Sequence, residues 1–225
     1  ASFPLFYSTS FGGAYWVWMI ILFAFIVQAV SYEFRSKPNN FLGKRTFNSF
    51  LFINGLIAPI FLGTAVATFF TGSPFHVNEM NFSFWDSPYG GLELALTLTS
   101  YNTYINLSLG IAVFFLSRVL ALLYFMNSVE DTNILERSRK AIPLNAIAFV
   151  IFFLFFLINI LLKDGFAISE SGIIQMESYK YLYNLLQMPL IFISLIIGII
   201  MVLISILRVV FIQKCAGKGI WGAGI

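Results

Sequence analysis

Charge, cysteine and histidine are what this sequence has least of. Of 225 residues only 10% are charged, one is cysteine and one is histidine. A lone Cys215 excludes an internal disulfide framework and any multi-cysteine metal site. A lone His76 leaves no H-E-x-x-H metal motif, and the glycine-rich close "GKGIWGAG" lacks both the strand-to-helix setting and the "GK[ST]" ending of a phosphate-binding loop. From Ala1 to Tyr32 there is no charged residue at all. What fills the space is apolar: 59% hydrophobic residues, 27 of them Phe, and a mean hydropathy of +0.88. An average soluble domain has roughly 45–50% apolar and ~25% charged residues. A water-soluble core cannot absorb this much apolar surface, so the excess must meet lipid or pack inside a membrane bundle.

Uninterrupted apolar runs of about 20 residues, the length that carries a helix across a hydrocarbon core, occur near residues 14–32, 47–71, 104–127, 141–162 and 185–211. They are continuous rather than alternating at every second residue, which predicts α-helices and excludes barrel strands. The expected fold is all-α, a polytopic membrane bundle forming a single transmembrane domain. Lys and Arg fall unevenly between the runs. Arg35, Lys37, Lys44 and Arg45 follow the first, Arg137, Arg139 and Lys140 the third, and Arg208, Lys214 and Lys218 close the last; the other two connections hold only Lys163 and Lys180. Basic residues are retained on the cytoplasmic side. The asymmetry therefore puts residues 72–103 and 163–180 outside and Ile225 inside.

The segment "ASFPLFYSTSFGG" has no initiator Met, basic leader or cleavage site ahead of its first apolar run, and it reads as the middle of a longer chain. Four residues are candidates for a buried polar or proton-path role. Arg118 is the single charge in the interior of a run, Arg208 lying at the end of the last, and it stands about 10 Å from its basic end if the span closes at Phe125; Gln28 and Asn54 place amides among apolar neighbours; Glu33 opens the charged stretch "YEFRSK", four residues before Lys37. Asn145 and Asn159 are further intramembrane amides, read as packing contacts. Gly63 and Ala67 form a small-xxx-small pair that lets a neighbouring helix approach closely. In the connection 72–103, "GGLELALTLT" predicts a short interfacial helix with Glu93 facing water. Met19, Met188 and Met201 are read as core fillers.

The motifs "ASFPLFYST", "QAVSYEFRSK", "NGLIAPIFLGTAVATFFTGSPF", "LSRVLALLYFMN", "ERSRK" and "YKYLYNLLQMPL" follow one another in an order that resembles subunit II of cytochrome bd-type quinol oxidases. The resemblance covers most of the chain. It implies a multi-pass protein of the bacterial cytoplasmic membrane, paired with a haem-bearing subunit I in a complex that oxidises quinol and reduces dioxygen to water. It also implies that haems b and d reside in that partner, that small single-span subunits and membrane lipid are neighbours, and that this segment holds no cofactor other than a structural quinone or lipid. No nucleic-acid partner is expected. Family members have more than five spans, which implies further helices on both sides of this segment. Axial haem ligation within a bundle wants His, Met or Cys from the spans, and His76 lies outside them. An alternative from a different class is a transporter whose path is lined by Arg118 and the amides; it would need broken helices, for which Pro59 and Pro189 are the candidates.

Overall fold

The computed structural model describes residues 4–38, 40, 42–80, 82–96, 100–168 and 172–211. Cys215, Lys214 and Lys218 lie outside the described residues. The order is α1 (Pro4–Gly13), α2 (Tyr15–Phe34), α3 (Gly43–Thr71), β1 (Phe75–Val77), β2 (Ser83–Trp85), α4 (Glu93–Leu96), α5 (Tyr101–Ser128), α6 (Thr132–Leu161), β3 (Gly165–Ile168), β4 (Ile174–Glu177), α7 (Lys180–Gln187) and α8 (Pro189–Phe211). Five of these helices, α2, α3, α5, α6 and α8, are long and apolar enough to cross a membrane. The fold is an all-α polytopic bundle with two small antiparallel hairpins in its connections.

The helices run a few residues past the apolar runs where local chemistry extends them. α6 starts at Thr132, nine residues before its apolar run, because Asp131 caps it by accepting from the backbone N–H of Asn133 and Ile134. Pro59 sits inside an unbroken α3, and Pro189 begins α8 after a turn at Met188. Among the described residues no spanning helix is broken at proline, so the feature a transporter reading requires is not found there.

Contacts divide the chain into two compact units, residues 1–114 and 115–225. In the first, α2 packs antiparallel along α3, with Val17 and Ile21 set against Ala65. α5 crosses α3 at Gly63 and Gly110, where small residues bring the two backbones together. In the second, Val119, Leu123 and Met126 of α5 pack with Ile142 and Ala146 of α6 and Ile206 of α8. Large apolar side chains outside these cores are exposed, Phe23, Phe52 and Leu190 at 68, 72 and 79%. Such surface is stable only against lipid or another apolar partner.

Candidate functional site

The four polar candidates occupy unlike settings. Glu33 is exposed at the end of α2 and pairs with Lys37 at 2.6 Å, one helical turn on. Arg118 lies on an exposed face of α5, ten residues before the helix ends at Ser128, about 15 Å along the axis. Gln28 is half-buried and Asn54 is buried. These two amides share a level: Gln28 stands eleven residues on from Val17 along α2, and Asn54 eleven residues back from Ala65 along α3. Eleven residues are close to three whole turns, so both amides lie on the faces that meet. The Asn54 side-chain N–H₂ is buried with no hydrogen-bond partner among the described residues. Asn145 and Asn159 differ, because each donates to a carbonyl of its own helix, at Ala141 and Phe155, 2.7 Å away. The helical spacing sets Gln28 and Asn54 on the facing sides of α2 and α3, and Glu33 stands at the far end of α2.

The connection between α3 and α5 builds more than the sequence suggests. β1 and β2 form a hairpin with Phe75 opposite Trp85 and His76 opposite Phe84. Trp85 donates its indole N–H to the Thr9 carbonyl at 2.9 Å, which ties the hairpin to α1. Its ring occupies the place where Gly13 would carry a side chain: a methyl there would stand 1.5 Å from the indole nitrogen. Gly13 is therefore what admits Trp85. His76 sits on the outward face, stacked on Phe84 and 3.1 Å from the Asp86 carboxylate.

Glu93 corrects the sequence reading. Rather than facing water, both of its carboxylate oxygens are buried and lack a hydrogen-bond partner among the described residues. α4 is turned by its neighbours: Leu92 packs on the Val17–Ile21–Ala65 cluster and Ala95 is buried, which rotates the glutamate inward. Close by, Thr103 donates to the Glu93 carbonyl, and Thr71 donates to the buried Asn106 side-chain oxygen at 2.7 Å.

Between α1, α2, α3 and the hairpin lies a cavity of about 460 Å³. Val17, Ala65 and Phe69 give it apolar walls, and Phe75, Val77 and Trp85 close its hairpin side. Four of the polar side chains along it have their hydrogens committed. Thr64 and Thr68 donate to the Ile60 and Ala65 carbonyls, Trp18 donates to the Ser10 carbonyl, and Trp85 donates to Thr9. What Thr64 and Thr68 offer an occupant is oxygen lone pairs. The sequence reading did not assemble this cavity, because its hairpin wall and its helical walls are distant in sequence and are joined by the Trp85–Thr9 bond.

The sequence that builds this arrangement matches a family model over nearly its whole length. Residues 1–224 fit the family model of cytochrome bd terminal oxidase subunit II. The chain belongs to that family. Individual relatives align over shorter stretches. A probable cytochrome oxidase subunit 2 of Haemophilus influenzae is 30% identical over 80 residues, 36% of this chain and 21% of that protein. Cytochrome bd ubiquinol oxidase subunit 2 of Bacillus subtilis is 34% identical over 74 residues, 33% of this chain and 22% of that protein. Cytochrome bd-I ubiquinol oxidase subunit 2 of Escherichia coli K12 is 25% identical over 118 residues, 48% of this chain and 31% of that protein. The matched stretches thus span less than a third of the length of these relatives. As a member of the subunit II family with five candidate spans, the chain is a multi-pass membrane protein.

Proposed function

We propose that this chain is the membrane subunit of a bd-type quinol:dioxygen oxidoreductase that carries no haem of its own and acts by packing on a haem-bearing subunit I. The observation that carries the reading is the family match over residues 1–224. Ligand chemistry supports the division of labour. Axial haem ligands come from His, Met or Cys projecting into a bundle, and the single histidine of this chain stands on β1, engaged by Asp86. Of the methionines in or beside the spans, Met19 and Met188 are exposed and Met201 is half-buried, with no spanning histidine to complete a pair. The chain's contribution is then mechanical and dielectric. Its exposed small and aromatic surface packs on the partner, keeps the partner's haem pocket in shape and shields it from lipid. The setting is the bacterial cytoplasmic membrane.

The cavity in the first unit suits a structural quinone or lipid. Apolar walls fit an isoprenoid or acyl chain, while Thr64 and Thr68, their own hydrogens committed to α3, accept from a donating head such as a quinol hydroxyl. Such an occupant would fill the space between α1, α2 and the hairpin and fix their packing.

Expression tests the reading. The full-length protein produced alone should purify without haem absorbance and without quinol oxidase activity. Produced with its larger, histidine-bearing partner, the two should copurify as a haem-containing oxidase. Stoichiometric haem on the isolated chain, or transport in vesicles lacking a partner, overturns the assignment.

A further inference from the structure

The hairpin β3–β4 has two unlike faces. Its cross-strand pairs Phe166↔Met176 and Ile168↔Ile174 project to one side, and all four side chains are between 62 and 79% exposed. The alternate positions face the other way. There Ala167 is buried, and Gly165 lies so close to α7 that a methyl on it would stand 2.9 Å from the Lys180 Cβ. The β3 half of this face is thus covered by the chain's own α7, while Gln175 and Glu177 on its β4 half are exposed and polar. The face of the four apolar side chains is uncovered, contains no charged residue and is uniformly apolar.

We propose that this uncovered face is seated in the lipid leaflet at its end of the bundle, so that β3–β4 and α7 form an interfacial anchor between the spans α6 and α8. The tethers are short: β3 begins four residues beyond the last residue of α6, and α7 is separated from α8 by Met188 alone. A hairpin held this way cannot rise far from the hydrocarbon boundary. The apolar surface is also continuous across that boundary, since Leu162 at the end of α6 and Met188 and Leu190 at the start of α8 are exposed like the hairpin quartet. The polar groups that flank it are those that populate a membrane interface. Tyr179 and Tyr183 are exposed, Lys180 lies over the Tyr183 ring while its ammonium reaches Glu177 at 2.6 Å, and burial lowers the Lys163 pKa below the ordinary lysine value. Long cationic side chains in such positions lay their stems on apolar surface and lift their heads to water. Water against the quartet would leave four large apolar side chains hydrated with nothing gained.

Depth measurements on the assembled complex test this. In a Cys215→Ser background, nitroxide labels are placed on single cysteines at Ile168, Ile174 and Gln175, and the complex is reconstituted in vesicles of phosphatidylethanolamine and phosphatidylglycerol. Collision with oxygen should exceed collision with a water-soluble nickel chelate at 168 and 174, giving a ratio above one, and the ratio should fall below one at 175 on the opposite face. A ratio below one at all three places the hairpin in water, and exclusion of both reagents at 168 and 174 places it against a protein partner; either overturns the proposal. Should the labelled variants not assemble, the unmodified complex is irradiated with a phospholipid bearing a diazirine near its acyl-chain carbonyl. Adducts on Phe166, Ile168, Ile174 and Met176 are expected. Adducts on α6 and α8 with none on the hairpin overturn the anchor.

Discussion

Gly63 on α3 and Gly110 on α5 pack backbone against backbone. A methyl on Gly63 would stand 2.8 Å from the Gly110 Cα, and one on Gly110 would stand 2.5 Å from both the Ile60 carbonyl oxygen and the Thr64 hydroxyl. Backbone cannot yield as a flexible side chain does, so the two helices must part or bend to admit a larger residue. Gly110→Val should destabilise the folded chain by about 1–3 kcal/mol, the range of overpacked cores. Gly55→Ala, where a methyl meets nothing within 4 Å, serves as the control and should leave stability equal or slightly higher. Thermal unfolding of the purified complex measures both, and equal midpoints for Gly110→Val and the control would show that α3 and α5 do not meet here.

Glu93 yields a prediction of the opposite sign. Its two carboxylate oxygens are buried without a partner among the described residues, and an unsatisfied buried polar group costs about 1–3 kcal/mol. Glu93→Leu, similar in size and free of polar atoms, should raise stability by a comparable amount. A thermal midpoint that drops instead would mean that the carboxylate is answered in the assembled complex, and the residue supplying that answer would become the next one to find.

The spans were legible in the sequence because a run of about 20 apolar residues has few solutions in lipid: the backbone must satisfy itself, and a helix does so. That is why the runs near 14–32, 47–71 and 104–127 recur as α2, α3 and α5 within a few residues. The Gly63–Ala67 spacing announced a close helix contact, although its partner Gly110 carried no signal of its own. The two hairpins were not legible. Strands of three or four residues make too little pattern to separate from a loop, and what holds β2 in place is Trp85 reaching back to Thr9 in α1. Glu93 was misread for a related reason. On a four-residue helix the direction of each side chain is set by what Leu92 and Ala95 pack against, and that is tertiary information. The buried, unpartnered amide of Asn54 was visible as a residue type but not as an orphan, since orphan status depends on the facing surface of α2.

The expected orientation in the membrane rests on ten basic residues at one set of span ends against two at the other. Single cysteines should therefore react with an impermeant reagent added from outside when placed at Glu79 or Gln175, and should not when placed at Ser36 or Glu136. All four positions are exposed. Ser138, which sequence alone would recommend for the inner side, is buried and would give silence for the wrong reason. Equal labelling of the four cysteines in sealed vesicles would defeat the orientation.

Arg118 places a guanidinium on the outer face of a spanning helix, ten residues from the end of α5. At that distance, about 15 Å along the axis, lipid is a poor neighbour: a central arginine costs about 2.5–3.5 kcal/mol on insertion scales. Because the side chain is exposed at that depth, the subunit I proposed beside this chain is expected to add a polar contact to those Arg118 already makes, with a carboxylate or backbone carbonyls as the matching chemistry. Arg118→Leu should then weaken copurification of the two subunits and lower haem content and oxidase turnover together. Arg118→Lys keeps the charge but loses the planar fork that grips two acceptors at once, so it should restore only part of the loss. A Lys variant as good as the parent would reduce the contact to a point charge. If Arg118→Leu assembles, holds haem and turns over as the parent does, the side chain is instead climbing to the head groups along its own helix, and α5 sits deeper toward its basic end than its apolar run implies.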